Sequence, residues 1–152
     1  MRKVSWIVVL SLLVGFPAAA QERATLEQDK AGIERAALDY IAGWYEGNVE
    51  RMEKALHPDL VKRYLRALPT GREVSVSLTK NSMVEMTRAG GGSRSPKEVQ
   101  KYEVVILDVY GTIASAKTIS GEFIDYLHLA KTEGEWKIIN VLWVPVKPPP
   151  RQ

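Results

Sequence analysis

Phe123-Ile124-Asp125-Tyr126-Leu127-His128-Leu129-Ala130-Lys131-Thr132, then Glu133-Gly134, then Glu135-Trp136-Lys137-Ile138-Ile139-Asn140-Val141-Leu142-Trp143-Val144: this stretch decides the fold. Two runs rich in β-branched and aromatic residues flank a two-residue turn, which is the signature of a β-hairpin. With Glu133-Gly134 as the turn, Thr132 faces Glu135 and Lys131 faces Trp136. Continuing the register predicts Leu127 opposite Asn140 and Asp125 opposite Leu142. Phe123, Asp125, Leu127 and Leu129 then share one face with Trp136, Ile138, Asn140, Leu142 and Val144. The other face carries Ile124, Tyr126, His128, Ala130, Lys137, Ile139, Val141 and Trp143. A single-residue bulge would reverse part of this partition.

In that register Asp125 and Asn140 are polar groups on an otherwise apolar face, diagonal neighbours close enough for one ligand to meet both. In a closed pocket, desolvation would raise the Asp125 pKa and make it a general acid or a poised base. Asn140 could orient a carbonyl, an amide or a water without adding charge. The plainer alternative is a satisfied polar pair at a sheet edge. The second face is too apolar for an ordinary solvent face. It fits a second subunit, with Tyr126 and Trp143 giving contact area and His128 a polar point.

Working outward, Tyr102 to Val109 and Thr112 to Ile119 read as two further strands, so four consecutive strands form an antiparallel meander. Upstream the period changes. Leu26, Ile33, Ala37, Tyr40, Ile41 and Trp44 recur at helical spacing within residues 22–46. Gly47-Asn48 predicts a stop and a new cap for a helix over residues 49–56. After His57-Pro58, Asp59 is expected to cap another short helix carrying Leu60, Val61, Tyr64 and Leu65. Glu73 to Leu78 alternates as a short strand, and Thr79 caps a helix through Arg88. Gly90-Gly91-Gly92-Ser93-Arg94-Ser95-Pro96 reads as an exposed loop, without the spacing of a P-loop. Helices first and sheet second make an α+β domain, with the helices on one curved face. Tyr40 and Trp44, on the helix that crosses the sheet, fit a core stripe and a pocket wall equally well.

The chain begins with Arg2-Lys3, an uncharged and largely apolar run from Val4 to Phe16, then Pro17 and Ala18-Ala19-Ala20. That is the pattern of a cleavable signal peptide over residues 1–20, too short for the roughly 20 apolar residues of a membrane span. The expected organisation is a leader (1–20), one domain (21–146) and a proline-rich tail (147–152). Without Arg2 and Lys3 the balance is 19 basic against 18 acidic residues. No basic block remains to follow a phosphate backbone, which argues against a nucleic-acid partner. The chain has no cysteine, so disulfides, thiolate chemistry and lipoprotein anchoring are excluded. A periplasmic or secreted product, with no membrane anchor after cleavage, is expected.

Of the two histidines, His57 and His128, neither belongs to a compact metal-ligand motif, so no metal is expected. No Gly-x-Ser-x-Gly elbow is present. His57 reads as a helix-end or surface residue, or one at a pocket mouth.

The run Phe123 to Ala130 followed by Glu133 to Trp143 resembles the end of the putative lumazine-binding proteins of the NTF2-like superfamily. Ala37-Leu38-Asp39-Tyr40-Ile41-Ala42-Gly43-Trp44-Tyr45-Glu46-Gly47-Asn48 is similar to that family's opening. The resemblance implies a cone in which N-terminal helices close a curved antiparallel sheet around a pocket, often dimeric through the sheet. The resulting expectation is an exported, homodimeric protein binding a small cyclic or heteroaromatic molecule, with no cofactor. Asp125 and Asn140 would be its polar contacts, and Tyr40, Trp44, Phe123 and Trp136 its wall. Two other functions fit the same sequence. One is a cofactor-independent isomerase or hydrolase with Asp125 moving the proton, and the other a non-catalytic protein-interaction and dimerisation module.

Overall fold

The computed structural model describes residues 18–146. Most of the expected leader and the whole tail 147–152 lie outside the described residues. In chain order the elements are α1 (Ala18–Glu46), α2 (Val49–Ala55), β1 (Leu56–Ala67), β2 (Glu73–Thr79), α3 (Lys80–Arg88), β3 (Glu103–Tyr110), β4 (Ile113–Ile119), β5 (Phe123–Thr132) and β6 (Glu135–Pro145). The strands form one curved, unclosed sheet in the order β2-β1-β6-β5-β4-β3. All neighbours are antiparallel except β1 and β6, which run parallel. The α+β cone expected from the sequence is the fold of this chain.

Helix α1 is long because its apolar residues keep helical spacing. Ile33, Ala36, Ala37, Tyr40, Ile41 and Tyr45 are all buried against the sheet. It stops at Gly47, whose φ of +65° suits glycine. The amides of Gly47 and Asn48 bond back to the carbonyls of Trp44 and Gly43 at 3.4 and 2.9 Å, the two bonds of a Schellman stop. Asn48 then caps α2 by accepting from the Arg51 amide at 3.1 Å, and Thr79 caps α3 by accepting from the Ser82 amide at 3.2 Å. Across the sheet, Leu56, Leu60, Leu127, Leu129, Ile138 and Val141 complete the core. Each such aliphatic side chain contributes roughly 1.5–3 kcal/mol relative to an exposed one.

Two expectations fail here. Residues 59–65 are not a helix: they belong to β1, which pairs with β2 from Val61↔Thr79 to Ala67↔Glu73. The buried residues are Leu60 and Lys62, with Tyr64 half-buried, a period of two that the helical reading missed. The strand wins because β6 offers it a paired edge, something local propensity does not record. The glycine loop is likewise not wholly exposed. Gly92 is buried, and a Cβ there would lie 2.5 Å from Trp44 Nε1 and 2.8 Å from Tyr45 Cδ1.

The hairpin turn has the expected register, with Thr132↔Glu135 and Lys131↔Trp136, as far as Leu129↔Ile138. A bulge follows. The next pairs are His128↔Asn140, Leu127↔Val141, Tyr126↔Leu142 and Asp125↔Trp143. Ile139 is the extra residue, and every side chain after it changes face.

Candidate functional site

The bulge decides which side chains meet beneath α1. Trp143 turns inward beside Asp125, and Asn140 turns outward. On the outer face Asn140 Oδ1 accepts from Arg63 at 2.6 Å, and its amide nitrogen lies 3.2 Å from His128 Nδ1. The predicted Asp125–Asn140 pair is therefore split between the two faces. Trp143 does not share the outer face with Tyr126 and His128, both of which are exposed.

Between α1, α3 and the inner face of the sheet is a cavity of about 180 Å³. Tyr40, Ile41, Trp44 and Tyr45 reach it from α1, Lys62 from β1, Leu78 from β2, and Met83 and Met86 from α3. Ser120 follows β4, Phe123 and Asp125 come from β5, and Trp143 from β6. Four predicted site residues, Tyr40, Trp44, Phe123 and Asp125, thus converge on one space. Trp136 lies elsewhere: it is buried near the hairpin end, where its Nε1 donates to Asp29 Oδ1 at 3.0 Å. The sequence register put Trp136 on the correct face, but the turn places it too far along the strand from Asp125.

The floor of the cavity is polar and buried. Lys62 Nζ donates to Asp125 Oδ1 at 2.7 Å and to the Tyr40 hydroxyl. Tyr40 in turn donates to Asp125 Oδ1 at 3.0 Å, and Thr118 Oγ1 to Asp125 Oδ2 at 3.3 Å. Lys62 is 7% exposed and Asp125 4%. The ammonium also sits 4.8 Å from the Trp143 ring centre and 5.2 Å from that of Tyr40, within cation–π range. Phe123 meets Trp143 edge-on with 5.2 Å between centroids.

Burial pushes the Lys62 ammonium below its ordinary range, and the adjacent Asp125 carboxylate opposes that shift. Burial first, then the Asp125 charge, holds the Tyr40 phenol well above its usual value. Tyr45, donating to Ser120 Oγ at 2.9 Å, is pushed up to about 12, chiefly by burial. Among the described residues, Glu122 Oε2 and Trp143 Nε1 are buried without a hydrogen-bond partner.

Lys62 is the residue that sequence reasoning missed. Its signal is the alternation Leu60-Lys62-Tyr64, which is hidden by the neighbouring Arg63 and Arg66. A basic run of that kind reads as a solvated face.

Helices closing one side of a curved sheet over a cavity make an NTF2-like fold. Solved structures agree. An NTF2-like protein of unknown function from Methylobacillus flagellatus superposes with a TM-score of 0.59 at 20% identity, over 79% of this chain and 94% of that one. One from Silicibacter pomeroyi gives 0.57 at 16%, over 86% and 100%. An NTF2-like protein with a cystatin-like fold from Novosphingobium aromaticivorans gives 0.60 at 12%, over 88% and 92%. The sequence itself matches the family model described as "Putative lumazine-binding" over residues 28–144, and the chain belongs to that family. No curated protein matches the sequence.

Proposed function

We propose that this protein binds a small, neutral, carbonyl-bearing ring compound in the cavity between α1, α3 and the sheet. The observation that carries the reading is the Lys62–Asp125–Tyr40 cluster on the floor of an otherwise apolar space. Lys62 and Asp125 cancel in charge, which favours a neutral guest. An ammonium has three donors, and two of those on Lys62 are spent on Asp125 and Tyr40. The third supports a carbonyl acceptor. A cavity of about 180 Å³ compares with the roughly 150 Å³ that admits benzene, so one ring fits as the side chains stand. Lumazine, the ligand class in the family's description, has two fused rings. It requires more room than that, which the exposed Met86 of the cavity wall gives if it swings outward.

Trp44 and Trp143 both line the cavity, so titration with lumazine and with single-ring lactams can be followed by tryptophan fluorescence. Saturable quenching is expected, weakened at least about fivefold in Lys62→Met, which removes the ammonium donor, the loss of roughly one hydrogen bond. Saturation unchanged by that substitution, or the absence of any response from ring carbonyls, overturns the reading.

Two further features extend the proposal. The basic, apolar and small-residue pattern of residues 1–20 supports export to the periplasm or medium. The outer sheet face supports a homodimer, because Tyr126, Leu142, Val144 and Leu65 are 52, 55, 49 and 62% exposed around Arg63, Asn140 and His128. Sedimentation of Leu142→Glu against the unaltered protein tests this: a shift from dimer to monomer is expected, and a monomer before substitution refutes it.

A further inference from the structure

We propose that Lys62 is a carbonyl-capturing amine, which forms a reversible imine with aldehydes or unhindered ketones that enter the cavity. The inference rests on the cavity reading above and specifies its chemistry. Three features of the geometry carry it.

First, Lys62 lines the cavity at 7% exposure, and its Nζ is bonded to two other residues of the cavity wall, Asp125 and Tyr40. A guest in that space meets the amine at close quarters, whereas surface lysines meet aldehydes only by collision from bulk water. Second, a proton acceptor is in place. Asp125 Oδ1 lies 2.7 Å from Nζ and is itself held by Tyr40 and Thr118, so it can take a proton without moving. Third, the walls are Phe123, Trp143, Trp44 and the α3 methionines, which exclude water from a condensation that releases it. Burial also favours the neutral, nucleophilic form of the amine over the ammonium.

The step balances without an oxidant or reductant. The ammonium gives one proton to Asp125, and the freed lone pair attacks the carbonyl carbon. A C–N bond forms as the C=O π pair moves to oxygen, which takes up the proton shed by the now positively charged nitrogen to give the neutral carbinolamine. Asp125 returns its proton to that hydroxyl, the C–O bond breaks, and water leaves. Ammonium plus aldehyde thus becomes iminium plus water, with one positive charge on each side. The iminium remains paired with the Asp125 carboxylate, as the ammonium was, so the buried charge balance is conserved. Tyr40, hydrogen-bonded to both groups, is a positioning residue that holds the carboxylate against the reacting nitrogen.

The test is reductive trapping on the intact protein. The chain is exposed briefly to dilute benzaldehyde with cyanoborohydride at pH 7, which reduces an iminium to a stable benzyl-amine. Intact mass and a peptide map then read which lysine carries the benzyl group. Lys62 is expected to be labelled first and singly, at least about tenfold ahead of any surface lysine, the advantage of an amine held beside its guest. Excess benzyl alcohol, which fills the space but cannot condense, should slow Lys62 labelling without changing the surface background. Lys62→Arg keeps the cation and should lose the fast adduct. Tyr40→Phe should slow trapping several-fold while the alcohol still binds by tryptophan fluorescence.

Labelling spread over surface lysines, with Lys62 unmodified while benzyl alcohol still quenches the cavity tryptophans, overturns the imine and leaves the binding reading standing. No quenching and no Lys62 adduct overturns both. Because the peptide map of the unaltered protein decides the matter, a poorly folding variant does not obscure the result.

Discussion

Removing Asp125 alone should be far worse than removing both members of the buried ion pair. In Asp125→Leu the Lys62 ammonium loses its 2.7 Å partner and stays 7% exposed, while Tyr40 and Thr118 lose their acceptor. An uncompensated buried charge of this kind costs about 3–5 kcal/mol. Lys62→Met is milder, about 2–3 kcal/mol, because Tyr40 and Thr118 still donate to the carboxylate. The double variant removes both charges and fills the space with apolar atoms. It leaves only the Tyr40 and Thr118 hydroxyls unsatisfied, so its loss should be about 1–2 kcal/mol, less than either the Asp125→Leu loss or the sum of the two. For a domain of this size, 1 kcal/mol moves Tm by about 3–5 °C, so Asp125→Leu should melt about 10–20 °C lower and the double variant only a few degrees lower. Urea unfolding at pH 7 by circular dichroism, with equal m-values across the set, gives the three free energies. If the single losses add to the double within about 0.5 kcal/mol, the pair is not coupled, and the floor of the cavity is not the structure described above.

The other predictions concern packing and pH. Gly92→Ala puts a Cβ within 2.8 Å of Trp44 and Tyr45, so about 1–3 kcal/mol of stability should be lost and Trp44 displaced. An unchanged Tm and an unchanged fluorescence maximum would refute that packing. Asp29→Asn weakens the bonds from Lys131 (2.6 Å) and Trp136 (3.0 Å) and should cost about 1–2 kcal/mol. The Lys131 and Trp136 hydrogen bonds hold the Asp29 pKa below its ordinary value, so its contribution is present above the unfolded pKa and is lost as pH falls through the folded one. The stability difference between this variant and the unaltered protein should therefore shrink on acidification, and a constant difference from pH 6 to pH 3 counts against the pairing. Tyr45, pushed up to about 12 from 10.0, has the opposite sign. Its protonated form contributes fully below pH 10 and loses that contribution as pH rises towards 12. The stability advantage over Tyr45→Phe should decline across that window, and a flat difference refutes the buried phenol.

Much of the fold was legible because its signals are local. The period of α1, the caps at Asn48 and Thr79, and the Glu133-Gly134 turn each depend on neighbours within a few residues. Strand β1 was not, since one of its two partners, β6, lies about 80 residues further on and its Arg63 and Arg66 resemble a solvated helix face. The candidate site was legible from both ends but not in the middle. Tyr40 and Trp44 followed from helical spacing and Asp125 from strand alternation. Lys62 depended on the misread β1, while Asn140 and Trp143 depended on a bulge that no turn residue announces. Ile139 is one isoleucine in Ile138-Ile139, and nothing in its chemistry marks it as the unpaired one.

That single isoleucine has a consequence for reading relatives of this chain. Within a strand, whether a residue looks inward or outward is a matter of parity, and the bulge adds one to the count. A relative with the same tryptophans, asparagine and leucines but an unbulged β6 would line its cavity with what this protein shows to solvent. It would also display on its surface what this protein hides. Two such chains could align without a gap and still be inside-out over the rest of the strand, from Asn140 to Pro145. Positions after Ile139 are therefore best compared by counting back from the C-terminal end of β6, because a count from the hairpin turn holds only as far as Ile138.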